Sequence, residues 1–106
     1  MAQYLYVDNY ASGGQLGISA FTFNQLAGQS IHRVILNHSD AKLTLEKPIN
    51  ARIHNNQLTI NLVLKMSKDS DIANITSELQ EHVARLVTTM TDIVPYAINI
   101  KVASLF

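Results

Sequence analysis

The feature that most constrains this chain is a pair of asparagines, Asn55-Asn56, set between two runs of alternating character. One run is Ile49 to His54 and the other is Gln57 to Met66. Asparagine tolerates positive φ, so a two-residue type I′ turn is expected here. That turn sets His54 opposite Gln57, Ile53 opposite Leu58, Ala51 opposite Ile60 and Ile49 opposite Leu62. Each apolar residue then meets an apolar partner on one face, and Leu64 and Met66 continue that face. A slip of one residue would turn every one of them to the other side, so the pattern fixes the register. Pro48 suits the first position of such a strand.

A helical period follows. Ile72, Ile75, Leu79, Val83, Leu86, Val87 and Met90 recur at three- and four-residue spacing, which predicts a buried stripe on a helix from about Asp71 to Met90. Ser70 or Asp71 is its cap, and Asp69 and Asp71 suit the positive end of its dipole. After Pro95, Ile98, Ile100 and Val102 alternate with Ala97, Asn99 and Lys101 as a last strand. Earlier in the chain, Phe23, Leu26, Ala27, Ser30, Ile31 and Val34 mark one face of another helix running to about Leu36. Ser19, or Thr22 with Gln25 in a capping box, starts it. Gly28 lies inside this helix, where it costs about 1 kcal/mol relative to alanine; a close approach to the sheet, or chance, accounts for it.

Gln15–Ser19 reads as a short strand, residues 3–8 as a strand or tail, Ala11 to Gly14 as a turn, Asn37 to Lys42 as a polar linker, and Leu43-Thr44-Leu45 as a brief edge strand. The fold class is therefore α+β: a two-layer β-α-β-β-α-β unit, with a mostly antiparallel sheet and two helices packed on one face. Residues 15–106 form the single domain, preceded by an N-terminal tail or short strand over 1–14.

Composition narrows the function. Eight basic residues balance eight acidic ones, so no long-range field draws nucleic acid or anionic lipid. The chain has no cysteine, which excludes disulfides, thiolate metal sites and cysteine nucleophiles. The first thirty residues show no signal-peptide pattern. The apolar runs fall short of the roughly twenty residues that cross a bilayer. A cytoplasmic protein is the simplest reading.

The motifs of catalysis are missing. His32, His38, His54 and His82 form no His-x-x-x-His pair, and His32 and His82 lie on different helices. No Gly-x-Ser-x-Gly occurs. No pair of acids has a spacing that demands general acid–base work. Gly13-Gly14-Gln15-Leu16-Gly17 precedes a helix but lacks the lysine of a Walker motif and the spacing of a dinucleotide fingerprint. A flexible turn explains it. No catalytic residue, metal ligand or cofactor is assigned.

What is left is a surface. The outward side of the hairpin and last strand carries Arg52, His54, Thr59, Asn61, Val63, Lys65, Asn99 and Lys101. It holds three permanent cations, no acid and no aromatic residue for base stacking. Arg52, His54, Asn61, Lys65, Asn99 and Lys101 are the candidate partner-binding residues. An acidic protein surface or lipid headgroups suit the face. A small nucleic-acid-binding module is the alternative, and a solvated sheet face is the plainest reading.

Several segments in order resemble the alkaline shock protein family, envelope stress response proteins of Gram-positive bacteria. They are Leu16-Gly17-Ile18-Ser19, Leu26-Ala27-Gly28, the hairpin segment Asn55 to Leu62, the helix segment Glu78-Leu79-Gln80-Glu81-His82-Val83 through Met90-Thr91, Ile98 to Val102, and Phe106. The resemblance spans about residues 15–106. It is that of a divergent member, since Val34-Ile35-Leu36 and Ala103-Ser104 stand where the family has glycine-containing segments. It implies a non-enzymatic protein that works through protein contacts and self-association. It also implies recruitment to the membrane by a protein partner, such as a small membrane-anchored one, with nucleic acid not expected.

Overall fold

The computed structural model describes residues 3–9, 14–38 and 42–106. The turn read at Ala11–Gly14 and the middle of the polar linker after Asn37 fall largely outside them. Eight elements run in order: β1 (Tyr4–Asn9), β2 (Gly14–Ser19), α1 (Ala20–Asn37), β3 (Leu43–Leu45), β4 (Asn50–His54), β5 (Gln57–Met66), α2 (Ile72–Thr91) and β6 (Ala97–Leu105).

The β4–β5 hairpin forms in the expected register, with His54 opposite Gln57 and Ala51 opposite Ile60. Asn55 and Asn56 take φ of 51° and 58°, the left-handed pair that a type I′ turn requires. β5 is the centre of the main sheet. β4 and β3 lie end to end along one edge of it, pairing with Gln57–Asn61 side by side and with Leu64–Met66. β6 runs parallel to β5 along the other edge, with an irregularity between Leu64 and Lys65. Three of the four strand pairings are antiparallel, so the α+β class and mostly antiparallel sheet hold.

The N-terminal strands depart from the simple β-α-β-β-α-β order. β1 and β2 pair with each other as a separate two-stranded sheet. That sheet is fastened to the hairpin end of the main one. Asn56 accepts the Tyr6 N–H at 2.9 Å and donates to the Tyr6 carbonyl at 3.0 Å. Gln3 accepts the Ile53 N–H at 3.0 Å.

Ser19 starts α1, its hydroxyl accepting the Thr22 N–H at 3.3 Å. All six residues of the expected α1 stripe are buried. Asp71 caps α2 through the Asn74 N–H, and Asp92, at φ 59°, ends it by donating its N–H to the Thr88 carbonyl. The α2 stripe is buried at Ile75, Leu79, Val83 and Val87, but Met90 is 63% exposed. It lies in the last turn, and the next buried apolar residue, Ile93, comes only after the helix has ended. Gly28 makes no close approach to the sheet, since a Cβ there would meet only Ile49 Cδ1 at an ordinary 3.7 Å. The core lies between the helices and the inner face of β5, where Leu58, Ile60, Leu62, Leu64 and Met66 alternate inward.

Candidate functional site

Strand alternation places the six candidate residues on the side of the sheet opposite the core. Ladder partners set Arg52 beside Thr59, Asn61 between Asn50 and Asn99, Lys101 beside Val63, and Lys65 between Thr44 and Ser104. His54 stands at the turn, opposite Gln57. Arg52, His54, Lys65, Asn99 and Lys101 are exposed, and Asn61 is half-buried. Asn99 donates to Asn61 Oδ1 at 3.0 Å, so these two amides hold each other across the parallel β5–β6 pair.

The charge balance differs from the sequence reading in one respect. Glu46, just beyond β3, reaches Lys65 at 3.5 Å. An exposed pair of this kind contributes little to stability, but it neutralises one of the three cations. Among the described residues, Arg52 and Lys101 have no carboxylate within ion-pair distance. Sequence reasoning missed Glu46 because its position depends on which edge of β5 receives β3. The order Leu43-Thr44-Leu45-Glu46 was the available signal.

The helices build a second surface. α1 and α2 run antiparallel, and a cleft of about 970 Å³ opens on them, lined by Gln25, Gly28, Gln29, His32, Arg33, Leu36, His82 and Leu86. His32 and His82, unrelated in sequence, thus line the same cleft. His82 Nδ1 lies 3.0 Å from Ser30 Oγ, a separation found in nucleophile–base pairs. Ser30, however, is fully buried against α2. Its hydroxyl satisfies the ring nitrogen inside the packing and meets no substrate. Among the described residues, no group of three His, Cys, Asp or Glu side chains converges to hold a metal.

At the far end of the helix pair, His38 and Asn37 hydrogen-bond Glu78. The His38 ring chiefly holds the Glu78 carboxyl below its ordinary pKa, with Asn37 adding a smaller effect and partial desolvation opposing both. At the opposite end, Met90, Val94 and Tyr96 stand exposed around the α2–β6 connection. No periodic pattern marks the last two, since Val94 and Tyr96 flank a proline and belong to neither stripe.

Residues 17–106 match the sequence profile of the alkaline shock protein 23 family, described as having a cell envelope-related function. The chain belongs to that family. The match begins inside β2 and takes in both helices and the whole main sheet. It leaves β1 outside. No curated protein and no solved structure is significantly similar to the chain. The alkaline shock family is not a known enzyme family. No helix among the described residues is long and apolar enough to cross a membrane.

Proposed function

We propose that this alkaline shock family protein is a non-enzymatic, self-associating scaffold or adaptor of the cell envelope. It works from the cytoplasmic side and is held near the membrane by a protein partner. The observation that carries this reading is the uncovered outer face of the sheet. Both helices pack on the other side, and Arg52 and Lys101 stand on the open side without acidic partners among the described residues. A face of this kind suits an acidic patch on a partner protein, where rim charges set encounter rate and orientation more than affinity. Ser30 is buried where it meets His82 and so presents no exposed nucleophile, which supports a role without chemistry.

Cell fractionation with and without envelope stress tests the reading. Recovery with the envelope, together with a specific protein partner, supports it; wholly soluble protein with no partner ends it. The two unpaired cations also leave room for a nucleic-acid-binding module. That alternative requires salt-dependent affinity weakened by Arg52→Ala and Lys101→Ala.

A further inference from the structure

The two edges of the main sheet are treated differently. On the β4 edge, the N–H groups of Ala51 and Ile53 point away from β5, and both are taken by side-chain amides. Asn24 of α1 accepts the first at 2.9 Å and Gln3 accepts the second at 3.0 Å. Such plugs keep an edge from recruiting another strand. On the β6 edge the contact is of another kind: Gln80 of α2 donates to the Ile98 carbonyl at 3.1 Å, which leaves that oxygen a second lone pair for a strand neighbour. Backbone groups alternate sides along a strand, so that carbonyl marks the side away from β5. Ile100 and Val102 present their N–H and C=O groups on the same side. No partner for them occurs among the described residues.

We propose that the β6 edge is where a second copy of this chain docks, β6 against β6 in antiparallel fashion about a two-fold axis through Ile100. This rests on the self-associating scaffold reading and names its surface. The occupant follows from self-complementarity. With the axis at Ile100, Ile98 lies opposite the second copy's Val102, and Ile100 opposite itself. The apolar inner layer then continues across the axis. Asn99 lies opposite the second copy's Lys101. Centring on Lys101 instead would oppose two like charges, which is unfavourable. Centring on Asn99 would set Val102 opposite Tyr96, beyond the start of β6. The helix above is compatible. Ala73, Thr76 and Ala84 share the side of α2 that carries Gln80, and all are small and uncharged, so a second α2 meets no bulk or charge there. The arrangement is isologous, as a closed dimer requires.

The absence of cysteine in the chain makes the register directly testable. Asn99 and the second copy's Lys101 form a non-hydrogen-bonded pair, with Cα atoms about 4.5 Å apart, within the range a disulfide spans. A mixture of full chains carrying Asn99→Cys and Lys101→Cys is oxidised and run on a non-reducing gel, beside each variant alone. A covalent dimer from the mixture and little from either alone is expected. No dimer from the mixture, or equal dimer from a single variant, overturns the proposal. Sedimentation equilibrium gives a second readout. Asn99→Lys should weaken dimerisation about tenfold through two symmetry-related repulsions, and Asn99→Glu should tighten it. Both variants should keep the fold, because residue 99 is exposed and its side-chain bond to Asn61 is a surface one. A dimer indifferent to both changes also overturns it. Recovery with the envelope is read independently, so failure here does not decide the adaptor reading.

Discussion

Asn56 holds Tyr6 by both of its backbone groups, accepting the N–H at 2.9 Å and donating to the carbonyl at 3.0 Å. A turn side chain thereby does the work of a strand neighbour and fastens the β1–β2 sheet to the hairpin. Asn56→Gly keeps the positive φ that the turn needs but removes the clamp. The β4–β5 hairpin should persist and global stability should fall by about 1 kcal/mol or less. The Tyr6 amide should exchange markedly faster with solvent. Hydrogen exchange at Tyr6 and at Ile60 separates local release from general unfolding.

Leu79 is fully buried in the middle of the α2 stripe. Leu79→Ala should cost about 2–5 kcal/mol, combining lost transfer energy with the cavity left behind. A chemical melt reads this directly. A loss under about 1 kcal/mol would mean that α2 does not pack as described.

Asn24 plugs the β4 edge through the Ala51 N–H. Asn24→Ala should destabilise the fold by about 1 kcal/mol, the ordinary value of such a bond. It should also open a second edge to strand pairing. Light scattering at rising concentration should show species larger than those of the unmodified chain, and Asn24→Asp, which keeps the acceptor, should not.

The Glu78 carboxyl is held below its ordinary 4.5, first by the hydrogen bond from His38. A carboxyl with a lowered folded pKa binds protons more weakly in the native state than in the unfolded one. Its contribution is therefore present above the unfolded value and is lost as the pH falls through the lower folded value. Urea melts from about pH 3 to about pH 6 should show Glu78→Gln less stable than the parent at the upper end. The two should converge at the lower end. A gap that widens on acidification would contradict the assignment.

Much of this fold is legible from local pattern. The six buried residues of α1 and the hairpin register follow from periods of 3.6 and 2, because each face of an element meets one environment. Met90 shows where that logic stops. The period continues into the last turn of α2, but the chain leaves the helix at Asp92 and buries Ile93 while Met90 stays exposed. The Glu46–Lys65 pair and the parallel joining of β6 to β5 depend on which strands become neighbours, and that is settled by the whole chain rather than by any window of it. The candidate face was readable as a set, since alternation alone puts Arg52, Asn61, Asn99 and Lys101 on one side. The shared cleft of His32 and His82 was not, because it requires the relative placement of two helices.

The proposed role of the open sheet face is to bind an envelope-associated partner. Fractionation of cells carrying the parent chain or an Arg52→Glu, Lys101→Glu double variant puts that role to the test. Both positions are exposed, so the double variant should melt as the parent does. The parent should sediment with the envelope, and the variant should move to the soluble fraction. Equal recovery of both with the envelope would contradict the role assigned to this face, and a wholly soluble parent would contradict recruitment to the envelope altogether.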